Sequence, residues 1–151
     1  MGSRKDTGLT LVALCDTWEE RLLAAGHSLD VKTYTDYEAF LDHDMDAVIL
    51  ANYFHQHAPF AIRALGAGKH VMSETAACHT LGEGVALIEA VEKSGLTYMF
   101  AENYPYAAYN QEMRRLYQKG SIGAFRYGEG EYVHPDPAAV RLGRSCGFDH
   151  W

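Results

Sequence analysis

The sequence predicts an α/β fold with a parallel sheet, on three observations. Short apolar runs rich in β-branched residues alternate with segments of helical periodicity from Leu9 to Ala101. Most helical segments open on a polar capping residue and close on glycine. The stretch from Asp46 to Glu74 contains a complete strand, crossover helix and strand, a unit compact enough to require parallel strands and a right-handed connection.

Leu9 to Leu14 is the first buried strand, ending at Cys15 and Asp16. Thr17-Trp-Glu-Glu20 has the T-x-x-E spacing of a capping box; Leu22 and Leu23 are expected to face inward and Gly26 to stop the helix. Val31 to Tyr34 is a short strand, and Thr35-Asp-Tyr-Glu38 repeats the capping box before Phe40 and Leu41. In the central unit Asp46 to Ala51 is a strand. His57-Ala-Pro59 opens a helix whose Ala58, Ala61, Ile62 and Leu65 recur at helical spacing, Gly66-Ala-Gly68 ends it, and Lys69 to Ser73 is the next strand. Thr80-Leu-Gly-Glu83 caps a helix to about Lys93 with Gly95 as its stop, and Leu96 to Ala101 is a further strand. Tyr106 to Lys119 reads as a helix closed by Gly120, and Ala124 to Val133 alternates as an antiparallel strand would. His134 to Trp151 shows no periodicity and resembles the start of a further domain.

Composition narrows the function. The 151 residues are 48% hydrophobic and 22% charged, as in one soluble domain with a sizeable core. A net charge of -7 argues against nucleic acid as a partner. No apolar run approaches the roughly 20 residues of a membrane span, and MGSRKDTG lacks a signal-peptide core, so no membrane is expected and the cytoplasm is the default location. Cys15, Cys78 and Cys146 are odd in number and far apart, without C-x-x-C, so neither a disulfide framework nor a zinc knuckle is indicated.

In parallel sheets ligands bind at the carboxyl ends of the strands, where this sequence places Asn52, Tyr53, Phe54, His55, His57 and Glu74. A nucleotide-binding fold of this kind should open with a strand and a G-x-G-x-x-G turn about twenty residues before the acidic end of its second strand. Only fifteen residues precede Asp16, and none of the pairs Gly66/Gly68, Gly82/Gly84 and Gly128/Gly130 continues into the full fingerprint.

Gly68-Lys-His-Val71 followed by Glu74, with His57-Ala-Pro59, Asn103-Tyr104 and Gly120-Ser-Ile-Gly123 in that order, resembles the Gfo/Idh/MocA family of sugar-type oxidoreductases from about Leu9 to His134. The resemblance implies a Rossmann domain binding NAD or NADP, and a second α/β domain that covers the nicotinamide and binds a small, sugar-like substrate. The expected architecture is therefore an incomplete Rossmann-type parallel sheet lacking the first βα unit, over residues 1–103, and the first helix and strand of a second α/β domain, over 104–151. The implied cofactor contacts are Asp16, Asn52, Tyr53, His57, Glu74, Thr75 and Asn103, with NAD favoured over NADP. The implied reaction is hydride transfer to or from a sugar, polyol or related hydroxy compound. A homo-oligomer is compatible with this reading, and no metal is called for.

The sequence departs from the family pattern at two places. Asn52-Tyr53-Phe54 stands where Thr-Pro-Asn is usual, and Glu74-Thr75-Ala76 where Glu-Lys-Pro is usual, so the habitual lysine is lost. That loss, with Glu102-Asn103-x-x-Tyr106 and Glu129-Gly-Glu-Tyr132-Val-His134, resembles the branch that uses bound NAD for redox-neutral glycoside hydrolysis. Tyr106 and His134 are then the candidate catalytic residues, with Tyr132 a candidate binder. A non-catalytic remnant is the third reading.

Each candidate also has a plainer role. Asp16 binds the adenosine ribose hydroxyls or is an acid at a helix start. His55 and His57 form an H-x-H that either ligates a metal or hydrogen-bonds a loop, and no third ligand is evident. Glu74 orients a ligand or caps the next helix; Tyr106 and His134 act on substrate or are a packed tyrosine and a solvated histidine. In the strand order 3-2-1-4-5-6, absence of the first strand leaves Leu9 to Leu14 and Asp46 to Ala51 either separated by a gap or paired directly. On that basis the chain alone is expected to fold poorly and to bind dinucleotide weakly or not at all.

Overall fold

The computed structural model describes residues 8–131, which belong to two compact units, 1–101 and 102–151. In the first unit five strands alternate with helices: β1 (Ala13–Cys15), α1 (Glu19–Leu29), β2 (Lys32–Tyr34), α2 (Tyr37–Leu41), β3 (Ala47–Leu50), α3 (His57–Gly66), β4 (His70–Ser73), α4 (Leu81–Ser94) and β5 (Tyr98–Phe100). All strand pairs are parallel, as the crossover connections require.

The strands form two sheets, β1-β2 and β3-β4-β5, which are not hydrogen-bonded to each other. Of the two outcomes expected of the strand order, the structure shows the gap. One apolar core nevertheless joins the halves, running from Ala13 through Tyr37, Phe40 and Leu41 to Val48, Leu50, Ala58, Ala61, Leu65, Val71 and Leu87. Tyr37 is the connecting side chain: its hydroxyl donates to the Phe60 carbonyl at 3.1 Å and its ring centroid lies 4.4 Å from that of Phe60. Arg63 of α3 covers the Tyr37 ring and pairs with Glu38 of α2.

Alternation along β3 and β4 buries Val48, Leu50, Val71 and Ser73 against the helices and turns the intervening residues to the opposite face. Ile49, Met72 and Met99 are in register across β3, β4 and β5 and are 64%, 37% and 42% exposed. They form an apolar row that no segment among the described residues covers.

Several boundaries differ from the expected ones. The first strand is Ala13–Cys15 because Leu9, Leu11 and Val12 are exposed and only the β2 side offers a partner strand. Thr17 does not cap α1; the Asp16 carboxylate instead accepts from the Trp18 N–H, and the helix starts at Glu19. Gly26 does not end α1 but lies within it, where it lets the helix approach β2: a Cβ there would stand 2.3 Å from Thr33 Cγ2. The stop is Asp30, left-handed at φ 54, whose N–H returns to the Gly26 carbonyl. Leu22 is buried, whereas Leu23 is exposed. Asp36, not Thr35, caps α2 by accepting from the Ala39 N–H at 2.8 Å.

The remaining punctuation is as expected. Thr80 and Glu83 make a reciprocal capping box on α4, and Gly95 closes that helix at φ 66. The Gly68-Lys-His motif is structural. Lys69 Nζ donates to the carbonyls of His43 and Met45, and His70 Nδ1 accepts from the Thr97 N–H, tying β4 to the segments that precede β3 and β5.

In the second unit a 3-10 turn, Tyr104–Tyr106, precedes α5 (Ala108–Gln118), so the helix begins two residues after Tyr106. Met113 and Tyr117 are exposed on it. Residues 124–131 form no strand; a strand needs a hydrogen-bonding neighbour, and none is present among the described residues. Tyr132, Val133 and His134 lie outside the described residues.

Candidate functional site

The segments leaving the carboxyl ends of β1, β3 and β4 carry most of the candidate cofactor residues. Asp16 directly follows β1, anchored by its own N–H to the Tyr34 carbonyl at 3.2 Å. One carboxylate oxygen accepts from the Trp18 N–H at 2.7 Å; the other receives no hydrogen bond from the described residues. The group is exposed and can accept from a ligand hydroxyl. Beside it in sequence, the exposed Trp18 ring carries the Arg21 guanidinium 4.5 Å from its centroid. This flat, cationic surface was hidden in the sequence inside an apparent capping box. Burial pushes the Cys15 thiol up, and the Asp16 and Asp36 carboxylates add to that effect, so Cys15 is held as a thiol behind the strand end.

The segment after β3 is a 3-10 turn, Phe54–Gln56, running into α3. Asn52 Nδ2 reaches Gln56 Oε1 at 3.4 Å, while Asn52 Oδ1 is buried without a hydrogen-bond donor. Such an orphaned acceptor is costly unless something fills it. Tyr53 is exposed and stacks on His55 at 6.0 Å and 15°, and Phe54 packs on His79 from the segment after β4.

His57 is 1% exposed. Its Nδ1 lies 2.8 Å from the Ala76 carbonyl oxygen and its Nε2 2.9 Å from the Asn52 carbonyl oxygen, so the ring is spent on joining two backbone segments. It presents no nitrogen to a ligand in this arrangement. Nor does the H-x-H pair chelate a metal through His57, and no cluster of three or more His, Cys, Asp or Glu that could hold one occurs among the described residues.

Glu74 follows β4, its N–H donating to the Leu50 carbonyl at 2.9 Å and its carboxylate accepting from the Thr75 N–H at 3.1 Å. It does not cap α4, whose cap is Thr80. Both Glu74 and Thr75 are exposed. Beneath them, on the helix-covered face, burial pushes the Tyr98 phenol up while the Ser73 hydroxyl offsets part of that rise. The phenolic oxygen has no geometrically formed hydrogen bond, because Ser73 donates to the Glu74 carbonyl instead.

In the second unit Asn103 precedes the 3-10 turn and its carbonyl accepts from the Tyr106 N–H at 3.0 Å. Tyr106 is exposed there. The turn is braced by Glu102, which accepts from the Tyr104 N–H at 3.1 Å, and by Asn110, which donates to the Tyr104 carbonyl at 2.7 Å. The structure thus places Asp16, Asn52, Tyr53, His57, Glu74 and Thr75 in one unit, and Asn103 and Tyr106 in the other.

A parallel α/β sheet with an acid at the end of one strand and polar turns at the next two has the layout of a dinucleotide-binding enzyme domain. Residues 2–102 match the family model described as an oxidoreductase family with an NAD-binding Rossmann fold, Gfo/Idh/MocA. The chain belongs to that family. It is 33% identical over 138 residues to glycosyl hydrolase family 109 protein 1 of Bacteroides fragilis, covering 84% of this chain and 30% of that protein. It is 29% identical over 138 residues to an alpha-N-acetylgalactosaminidase of Shewanella oneidensis, again covering 84% of this chain and 30% of the relative. The chain therefore spans about a third of the length of these relatives. Among solved structures, the WlbA dehydrogenase of Bordetella pertussis, in complex with NADH and UDP-GlcNAcA, superposes with TM-score 0.72 at 26% identity, over 75% of this chain and 33% of that one. The myo-inositol 2-dehydrogenase of Lactobacillus plantarum shares the fold with TM-score 0.73 at 24% identity, over 80% of this chain and 36% of its own.

Proposed function

We propose that this chain supplies the NAD-binding part of an enzyme that transfers hydride to or from a hydroxyl-bearing carbon of a sugar, polyol or related compound. The exposed Asp16 carboxylate, with one oxygen fixed by the Trp18 N–H, carries the reading: it is oriented and has acceptor capacity left for ribose hydroxyls. A carboxylate at that place repels a 2′-phosphate, which favours NAD over NADP. The Trp18 ring with Arg21 offers a stacking face for the adenine base. At the other end of the cofactor, the buried Asn52 Oδ1 lacks a donor, and a carboxamide N–H is a donor of the required kind. Glu74, Thr75, Tyr53 and Asn103 are the remaining proposed contacts, and His57 acts on the cofactor only through the segments it joins. The pyrophosphate has no glycine-rich donor set among the described residues, and no step is assigned to it.

Bound NAD supplies a hydride acceptor and donor at C4 of its nicotinamide. Thr75, standing where the family has lysine, carries no ammonium, so acid-base work is proposed for Tyr106 and His134. The relatives of glycosyl hydrolase family 109 favour a second reading, in which oxidation of a sugar carbon is transient and the net reaction is glycoside hydrolysis. In both readings the partner is a small sugar-like molecule. No helix among the described residues is long and apolar enough to cross a membrane, and the cytoplasm is the proposed location. A homo-oligomer fits the uncovered row of Ile49, Met72 and Met99.

Saturation-transfer NMR with NAD and NADP, on wild type and Asp16→Ala, tests the reading. Stronger transfer to NAD than to NADP in wild type, equalised in the variant, supports it; equal transfer in both proteins removes Asp16 from the site. Incubation with an N-acetylgalactosaminide and with free polyols then separates hydrolysis from net oxidation, the latter alone giving NADH absorbance.

A further inference from the structure

His57 is nearly excluded from solvent, and both of its ring nitrogens face oxygens that can only accept. A neutral imidazole has one N–H; its other nitrogen is a lone pair, which repels a carbonyl oxygen at hydrogen-bond distance. The observed contacts, 2.8 Å to Ala76 and 2.9 Å to Asn52, are both attractive only when each nitrogen carries a proton. The two carbonyls belong to different crossovers, one following β3 and the other following β4.

The ionisable groups around these segments are otherwise engaged. His55 stacks on Tyr53, and the Glu74 carboxylate accepts from the Thr75 N–H. The His79 ring packs on Phe54 while its N–H and that of Thr80 donate to Glu83 of α4. Cys78 sits against Gly84, where a Cβ would meet its Sγ at 3.2 Å, and Arg63 of α3 pairs with Glu38. No carboxylate hydrogen-bonds the ring among the described residues, so the two carbonyls alone face its nitrogens, at the first residue of α3.

We propose that His57 is a positioning residue that donates from both ring nitrogens and so fixes the segment after β3 to the segment after β4, holding Asn52 and Glu74 at a set separation. That these segments border an NAD site rests on the proposed function; the double donation does not. Absence of either proton leaves one contact repulsive and frees one segment, so the link holds both segments only while each nitrogen donates.

The test is a pH series of long-range 1H–15N spectra on the histidine-labelled 151-residue chain, from about pH 5 to 9. The expected result is two slowly exchanging N–H protons on the buried ring with both nitrogens at imidazolium shifts. On losing one of them, backbone amides of residues 52–54 and 74–77 should move with the same midpoint. In His57→Gln those amides should show no such step. A single N–H on this ring at every pH, or a titration that leaves those amides unmoved, overturns the proposal. Wild type alone decides the matter should the variant not fold. NAD is absent from the experiment, so failure of NAD binding would refute the functional reading without touching this one.

Discussion

Replacing Tyr37 should weaken the connection between the two sheets more than any other single change in the first unit. Its ring lies between α2, which packs on β1 and β2, and Phe60 of α3, and Arg63 covers it from outside. The phenol is pushed well above its ordinary value by burial, partly offset by Arg63, so it remains a neutral donor to the Phe60 carbonyl at any working pH. Tyr37→Phe removes that one hydrogen bond and should cost about 0.5–1.5 kcal/mol. Tyr37→Ala empties the whole site and should cost about 3–5 kcal/mol, a large part of a typical stability of about 5–15 kcal/mol. Urea titration followed by circular dichroism gives the two differences. Hydrogen exchange in the alanine variant should show β1 and β2 amides losing protection ahead of β3, β4 and β5. An alanine variant within about 1 kcal/mol of the phenylalanine variant, or uniform loss of protection, would refute this account of the core.

Gly26→Ala should destabilise by about 1–3 kcal/mol through collision with Thr33, and Thr33→Ala in the same chain should recover most of that; a thermal melt of the three variants checks it. Thr80→Ala removes one half of the α4 capping box and should cost about 0.5–2 kcal/mol by urea titration. Ile49→Lys should lower self-association and dye binding, measured by analytical ultracentrifugation and ANS fluorescence, because it charges the most exposed end of an apolar row that no segment among the described residues covers.

The central β3-α3-β4 unit was legible because its signals agree at every level: an apolar run of strand length, proline in the first helical turn, and Gly68 at φ 79 where the chain must turn. Gly26 was misread because glycine has two uses, ending helices and admitting close neighbours, and only the position of Thr33 in space distinguishes them. The α2 cap is displaced from Thr35 onto Asp36, an equally good acceptor for a first free N–H, while α1 has no side-chain cap and Asp16 holds the Trp18 N–H just ahead of it. Strand extent was overestimated at Leu9 to Val12 and at Ala124 to Glu131 for one physical reason: alternation and apolarity state what a strand can bury, but pairing requires a neighbour. At the candidate site, Asp16, Asn52 and Glu74 followed from the rule that parallel sheets present ligands at strand ends. His57 stood out by residue type, yet its burial and its two carbonyl partners are tertiary facts. The pairing of Trp18 with Arg21 is masked in the sequence because Trp18 lies inside the four residues, Thr17 to Glu20, that fit a capping box.

The proposed NAD site is tested most directly by a backbone amide titration of the 15N-labelled chain with NAD, including concentrations in the millimolar range appropriate to a site that lacks a pyrophosphate donor set. The account predicts graded, saturable shifts confined to the carboxyl-end segments, at residues 16–18, 52–55 and 74–76, with smaller shifts for NADP at 16–18. Shifts confined to the opposite, amino-terminal ends of the strands, at residues 45–47, 68–70 and 96–98, or no saturable shift at any residue, would contradict it.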